Sequence, residues 1–180
     1  MNTLRRCALA ALLGLAPLLP GAVASAATPA TVPASERVHV TYAEPQNFSE
    51  SRSYGYQDRY NGVHYLEPLR ACLVKRAAPM LAAGQRLDVT VTDIQLAGGY
   101  EPWQGQPWSH VRIMSNRYPP RIDLTFRWIG SDGKVLREGS RKLFNLGYLD
   151  SGSAMIGSSD PLRYDKALID RWLRRGLQHL

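Results

Sequence analysis

Cysteine is nearly absent from this chain of 180 residues, with Cys7 and Cys72 its only two. A disulfide framework is excluded, because a network of bridges needs cysteines in several pairs. The four histidines, His39, His64, His110 and His179, fall in four different predicted segments, with no H-x-x-x-H, H-E-x-x-H or Cys/His spacing. No metal site and no cofactor is expected from them. There is no G-x-S-x-G elbow, and no glycine-rich phosphate cradle follows a strand, so no catalytic residue is nominated. Gly152-Ser153-Ala154 lies in a small-residue loop and lacks the strand-to-helix context that such a nucleophile needs. No internal repeat is visible. No apolar run reaches the roughly 20 residues of a membrane span.

The longest apolar run, Ala8–Leu19, is interrupted by Pro17 and stopped by Pro20. It follows the positive pair Arg5-Arg6 and precedes the small-x-small triplet Ala24-Ser25-Ala26, which together predict a secretory signal peptide over residues 1–26. The Cys-Ala-Leu after Arg5-Arg6 is a poor twin-arginine match, which favours general secretion. Cys7 precedes the apolar run, so a lipid-anchored cysteine is not expected. The reading is a periplasmic protein with a flexible segment over 27–36 and a single domain over 37–180. The chain carries 22 Lys and Arg against 15 Asp and Glu, net +7, which falls to +5 without the two leader arginines. That balance permits attraction to anionic envelope polymers or phospholipid surfaces. No nucleic-acid recognition motif accompanies it. Cys72, the one cysteine left, is read as a small buried hydrophobe; a Cys72-linked dimer is the alternative, and monomer or dimer stays open.

The segment 121–143 organises the rest. Ile122, Leu124, Phe126 and Trp128 alternate with polar residues, the period of a half-buried strand. Gly130-Ser131-Asp132-Gly133 then turns the chain back through Lys134–Leu143, which predicts a hairpin. Val38, Val40 and Tyr42 alternate in a first strand over 37–43, and 46–60 reads as a loop. Leu66, Leu69, Leu73, Ala77 and Met80 are at helical spacing, with Pro68 in the first turn and Pro79 at the end. Leu87, Val89 and Val91 predict a strand over 85–96, and 110–114 is a short strand. Asp160-Pro161 opens a last helix whose apolar side is Leu162, Leu168, Ile169, Trp172, Leu173 and Leu177. The fold expected is α+β: a mostly antiparallel sheet in the order β-α-β-β-β-β-α, with two helices on one face.

Within the strand predicted over 85–96 the alternation fails at Asp93, since Ile94 and Leu96 are the next apolar positions. Either a bulge shifts the register there or Asp93 is buried against a cation, with Arg112 and Arg121 the candidates. Asp160 and Asp165 are assigned to the helix N-terminus and its dipole, Arg171, Arg174 and Arg175 to the opposite end, and Glu50 and Asp58 to loops without evident partners. The one suggestive surface is aromatic: Tyr100, Trp103 and Trp108 lie in a Gly/Pro-rich loop, with Tyr118 nearby. Flat apolar faces with polar tips suit sugar stacking or a protein contact; the competing use is a satellite cluster folded over the sheet edge.

Five blocks occur in order: VTYAEPQNFSE, GQRLDVTVTDIQLAGGYEP, VRIMSNRYPPRIDLTFRW, DGKVLREGSRKLFNLGYL and DPLRYDKALIDRWL. In these blocks, from Val38 to Leu173, the chain resembles the exported bacterial proteins grouped as domain of unknown function 3016. The resemblance implies no activity, ligand or catalytic residue, and the loop 100–109 is unusually rich in tryptophan and proline for it. The functional expectation is a non-enzymatic binding or accessory module of the cell envelope, engaging an envelope protein or polysaccharide. The alternative is an envelope hydrolase using unrecognised carboxylates.

Overall fold

The computed structural model describes residues 33–53, 64–105, 111–150 and 158–180, within a compact unit running from Val32 to Leu180. Residues 1–26, read as a signal peptide, together with Asp58, Trp108, His110 and Gly152-Ser153-Ala154, lie outside the described residues.

The hairpin forms as the alternation requires. Strands β5 (Arg121–Ile129) and β6 (Val135–Phe144) pair antiparallel, and Gly133 takes the positive φ of 80° that the turn needs. Lys134 N donates to the Asp132 carboxylate at 3.1 Å, so the turn is held by its own side chain. Strand β2 (Arg86–Gln95) lies antiparallel against the other edge of β5, and β1 (Val38–Tyr42) pairs with β2 in parallel. The four-stranded sheet thus runs β1-β2-β5-β6. It is mixed and mostly antiparallel, an α+β fold. A separate two-stranded sheet joins β3 (Gly99–Tyr100) to β4 (Arg112–Ile113), so the loop after β2 contains a strand that periodicity does not reveal.

Two helices complete the core. Helix α3 (Leu66–Ala77) ends in a 3₁₀ turn, Ala78–Met80, where Pro79 has no N–H to continue the ladder. Helix α4 (Arg163–Leu173) buries Leu168, Ile169, Trp172 and Leu173. These side chains join Leu69 and Leu73 of α3 and Val38, Val40, Leu87, Val89, Val91, Ile122, Leu124 and Phe126 of the sheet in one cluster. Phe126 and Trp172 meet edge to face at 5.9 Å. Cys72 is half-buried, and burial pushes its thiol above the ordinary range.

Several boundaries differ from expectation. A short helix α1 (Ala34–Arg37) occupies part of the stretch read as flexible, and α2 (Ser49–Ser53) lies where a loop is expected. Asp160 does not cap α4 directly: its carboxylate accepts from Leu162 N at 2.9 Å, and the helix starts at Arg163. The register of β2 shifts between Val91 and Asp93, so Ile94 turns inward while Asp93 leaves the core face. A second shift between Trp128 and Ile129 buries Ile129 and leaves Trp128 half-buried, with its indole N–H donating to Gln85 at 3.2 Å.

Candidate functional site

Beyond β2 the backbone Leu96–Gly98 leaves the four-stranded ladder, and its buried peptide groups need other partners. Charged side chains from three elements supply them. Glu50 of α2 accepts from Leu96 N at 2.8 Å. Asp165 of α4 accepts from Ala97 N at 3.0 Å. Arg112 of β4 donates to the carbonyls of Ala97 and Gly98 at 3.0 and 3.3 Å and pairs with Glu50. Its guanidinium lies over the Tyr100 ring at 5.0 Å.

Glu50 and Asp165 are each only 1% exposed. The partnerless-loop reading of Glu50 does not survive this burial, while Asp165 keeps its expected place in the first turn of α4 but faces the interior. Desolvation works to lower the Arg112 pKa, but the charge of Glu50 and the hydrogen bonds of Tyr100 and Glu50 together outweigh it and hold the guanidinium protonated more firmly than usual. Asp165 has no such pairing. Burial pushes its pKa up to about 7, against the Ala97 hydrogen bond and the Arg112 charge, and Glu50 raises it further. Its Oδ2 has no partner among the described residues.

A second polar knot stands beside the first. Asp93 accepts from Ser49 N at 2.5 Å, from Ser49 Oγ at 2.6 Å and from Arg121 Nη2 at 2.6 Å. Bulge and ion pair therefore coexist at Asp93, where the residues left them as alternatives, and the cation is Arg121 while Arg112 serves Glu50. Burial works to raise the Asp93 pKa, yet Ser49 and Arg121 together hold it below the ordinary carboxylate value. This knot is what folds α2: Asp93 fixes the first residue of a segment that shows little periodicity of its own.

On the outer side of the first constellation is a cleft of about 520 Å³. Glu50, Leu96, Tyr100 and Arg112 form one wall, His64, Tyr65 and Pro68 another, and Asp160, Pro161, Leu162 and Lys166 a third. Lys166 Nζ lies 2.6 Å from the Asp160 carboxylate, and that contact keeps Asp160 below its ordinary pKa. The charges of the cleft thus come as neutralised pairs.

The aromatic residues nominated from the sequence are distributed unevenly around this cleft. Tyr100 lines it. Tyr118 packs its ring on Gly99, where an added Cβ would come within 2.8 Å of it, and bonds the buried Glu101 at 2.8 Å. That bond raises the Tyr118 pKa. Trp103 stands 70% exposed on the 3₁₀ turn Pro102–Gln104. The sequence by itself does not single out Glu50, Asp165 or Lys166 as site residues. For Asp165 a signal existed: it takes the first place in the set 165, 168, 169 and 172, spaced as one buried helix face. Glu50 gave none, because its burial depends on a helix that Asp93 folds from elsewhere in the chain.

A family model described as Protein of unknown function (DUF3016) matches residues 36–175. No curated protein and no solved structure matches the chain. Among the described residues, no helix is long and apolar enough to cross a membrane.

Proposed function

We propose a binding role for a chain that belongs to the DUF3016 family of proteins of unknown function: a non-enzymatic accessory module of the cell envelope, acting in the periplasm after loss of its leader, that seats a segment of an uncharged polar polymer. An envelope glycan is the chemical class. The observation that carries this reading is the cleft with its neutralised ion pairs, Glu50 with Arg112 and Asp160 with Lys166, beside the aromatic side chains Tyr65 and Tyr100. Paired ions offer fixed donors and acceptors with little net field, and aromatic rings offer flat apolar surface. Together these suit hydroxyl-rich, uncharged ligands better than anions or cations.

Thermal unfolding against peptidoglycan fragments, neutral glycans and acidic polymers tests it. A ligand at 100 times its dissociation constant adds about 2.7 kcal/mol, a shift of a few degrees for a domain of this size. The expected outcome is a shift with neutral glycan fragments that Tyr100→Ala and Lys166→Ala abolish. Silence across the panel overturns the glycan assignment and turns the search to protein partners by cross-linking in intact cells.

Hydrolysis by carboxylates is the second reading. Glu50 and Asp160 both line the cleft, and Asp165 behind them titrates near neutrality, the split in proton affinity that acid–base pairs use. Against it, Glu50 and Asp165 are already engaged by backbone N–H groups. Turnover of glycan fragments that disappears in Glu50→Gln, with folding intact, would establish hydrolysis; absence of turnover in the native protein ends it.

A further inference from the structure

A second concave surface lies between β6 and the end of α4. It is a groove of about 220 Å³ with Leu143, Leu168 and Trp172 among its apolar lining. Arg141 and Lys142 of β6 line it, as do Arg171, Arg175 and His179 at and beyond the end of α4, and among the described residues no acid does. Arg141 is held in place: Nη1 donates to Ser140 O at 2.7 Å and the guanidinium lies over the Phe126 ring at 5.2 Å. Arg141, Lys142, Arg171 and Arg175 form no ion pair with an acid among the described residues, whereas most other basic side chains of the sheet and of α3 do.

Attraction to the negative end of the α4 dipole accounts for Arg171 and Arg175 taken alone. It does not account for two more cations brought to the same groove by a strand from another part of the chain. Like charges gathered without counter-charge cost stability unless an anion is met there. Three of them are arginines, whose planar forks match the oxygens of a phosphate. The groove is smaller than the roughly 300–1,000 Å³ of pockets that enclose a drug-sized ligand, so it fits a headgroup. Phe144, on its rim, is 59% exposed, and Leu146 just beyond is 64% exposed. A free phosphate ester has no use for these side chains, but the interface of a bilayer does.

We propose that this groove binds the phosphate headgroup of an anionic phospholipid at a membrane surface, with Phe144 and Leu146 entering the interface beside it. The site is separate from the cleft bearing Tyr100 and stands or falls independently of it.

Co-sedimentation with phosphatidylcholine vesicles, with and without phosphatidylglycerol, tests the assignment. The protein should begin at Ala27, which keeps the whole unit Val32–Leu180 and omits an apolar leader that would bind lipid itself. Binding is expected only to vesicles containing phosphatidylglycerol. Arg171→Gln/Arg175→Gln should weaken it by roughly 30-fold, from the usual contribution of each basic side chain near an anionic surface. Lys75→Gln/Arg86→Gln, with the same charge change away from the groove, should leave it within about twofold. Equal losses in the two double variants would reduce the effect to bulk charge and overturn the site. So would binding of soluble glycerol phosphate with no vesicle binding, which makes the ligand a free phosphate, or no binding to either. Phe144→Ser, with unfolding temperature as its folding control, should lower vesicle binding; an unchanged value overturns the membrane source.

Discussion

Asp165 is the residue on which pH dependence turns. An aspartate in an unfolded chain titrates near 3.9, whereas in the fold Asp165 titrates near 7. The folded state therefore holds the extra proton between these values. The contribution of Asp165 is complete below about pH 4 and is lost as pH rises through 7, on the order of several kcal/mol in full. Asp93 and Asp160 have the opposite sign, because their pKa values are lowered. What they contribute is present above about pH 4 and disappears in acid. Asp165→Asn keeps an oxygen to accept from Ala97 N and removes the ionisation. Its unfolding temperature should stay flat from about pH 5 to 8, where that of the native protein falls. A parallel decline in the two proteins would remove Asp165 as the cause.

Between residue and fold, the connecting segments carry the unexpected structure. The two ion pairs at α2 differ in what they leave behind when cut. Arg112→Ala strands Glu50 in the interior and frees the carbonyls of Ala97 and Gly98, so it should cost about 3–5 kcal/mol. Arg121 is 42% exposed at its side chain, water reaches the vacancy, and Arg121→Ala should cost about 1 kcal/mol or less. Urea unfolding of the two variants at one pH measures the contrast; equal losses would mean that the inner pair is not desolvated. Gly99→Ala should act on the packing between β3 and Tyr118, since the new Cβ meets the Tyr118 ring at 2.8 Å. The expected results are a loss of about 1–3 kcal/mol from overpacking and release of Tyr118 from Glu101, seen as a Tyr118 phenol that titrates lower. An unchanged phenol would place the adjustment elsewhere.

At this scale the sequence is most legible where a pattern is long and local. The alternation through β5, the 3.6-residue stripe of α4 and the stumble at Asp93 each need only neighbours in the chain to be seen. Strand β3 has two residues, and α2 has five, pinned by Asp93 from 44 positions away. Neither length supports a periodicity. The cleft was half visible for the same reason: Tyr100 advertises itself as an aromatic in a loop, whereas Glu50 becomes a site residue only through contacts that fold it inward.

Across the whole molecule, the sheet joins a local hairpin to one long-range pairing. Strands β5 and β6 are linked by the five residues 130–134, which carry their own hydrogen bonds. Strand β1 instead meets β2 with Thr41 and Thr90 in contact, 49 residues apart, and in parallel. Closing so large a loop costs conformational entropy before any of its contacts can repay it. The order of assembly follows: the hairpin and β2 should be formed at the folding barrier, and β1 should dock after it. Val40→Ala, a truncation inside β1, should then speed unfolding and leave the refolding rate nearly untouched, while Leu124→Ala in β5 should slow refolding. Stopped-flow chevrons of the two variants measure this, and a slowed refolding limb for Val40→Ala would put β1 in the nucleus. A chain that leaves β1 for last keeps one edge of β2 open for part of every folding event, and during that interval a second molecule's β1 can take the place of its own.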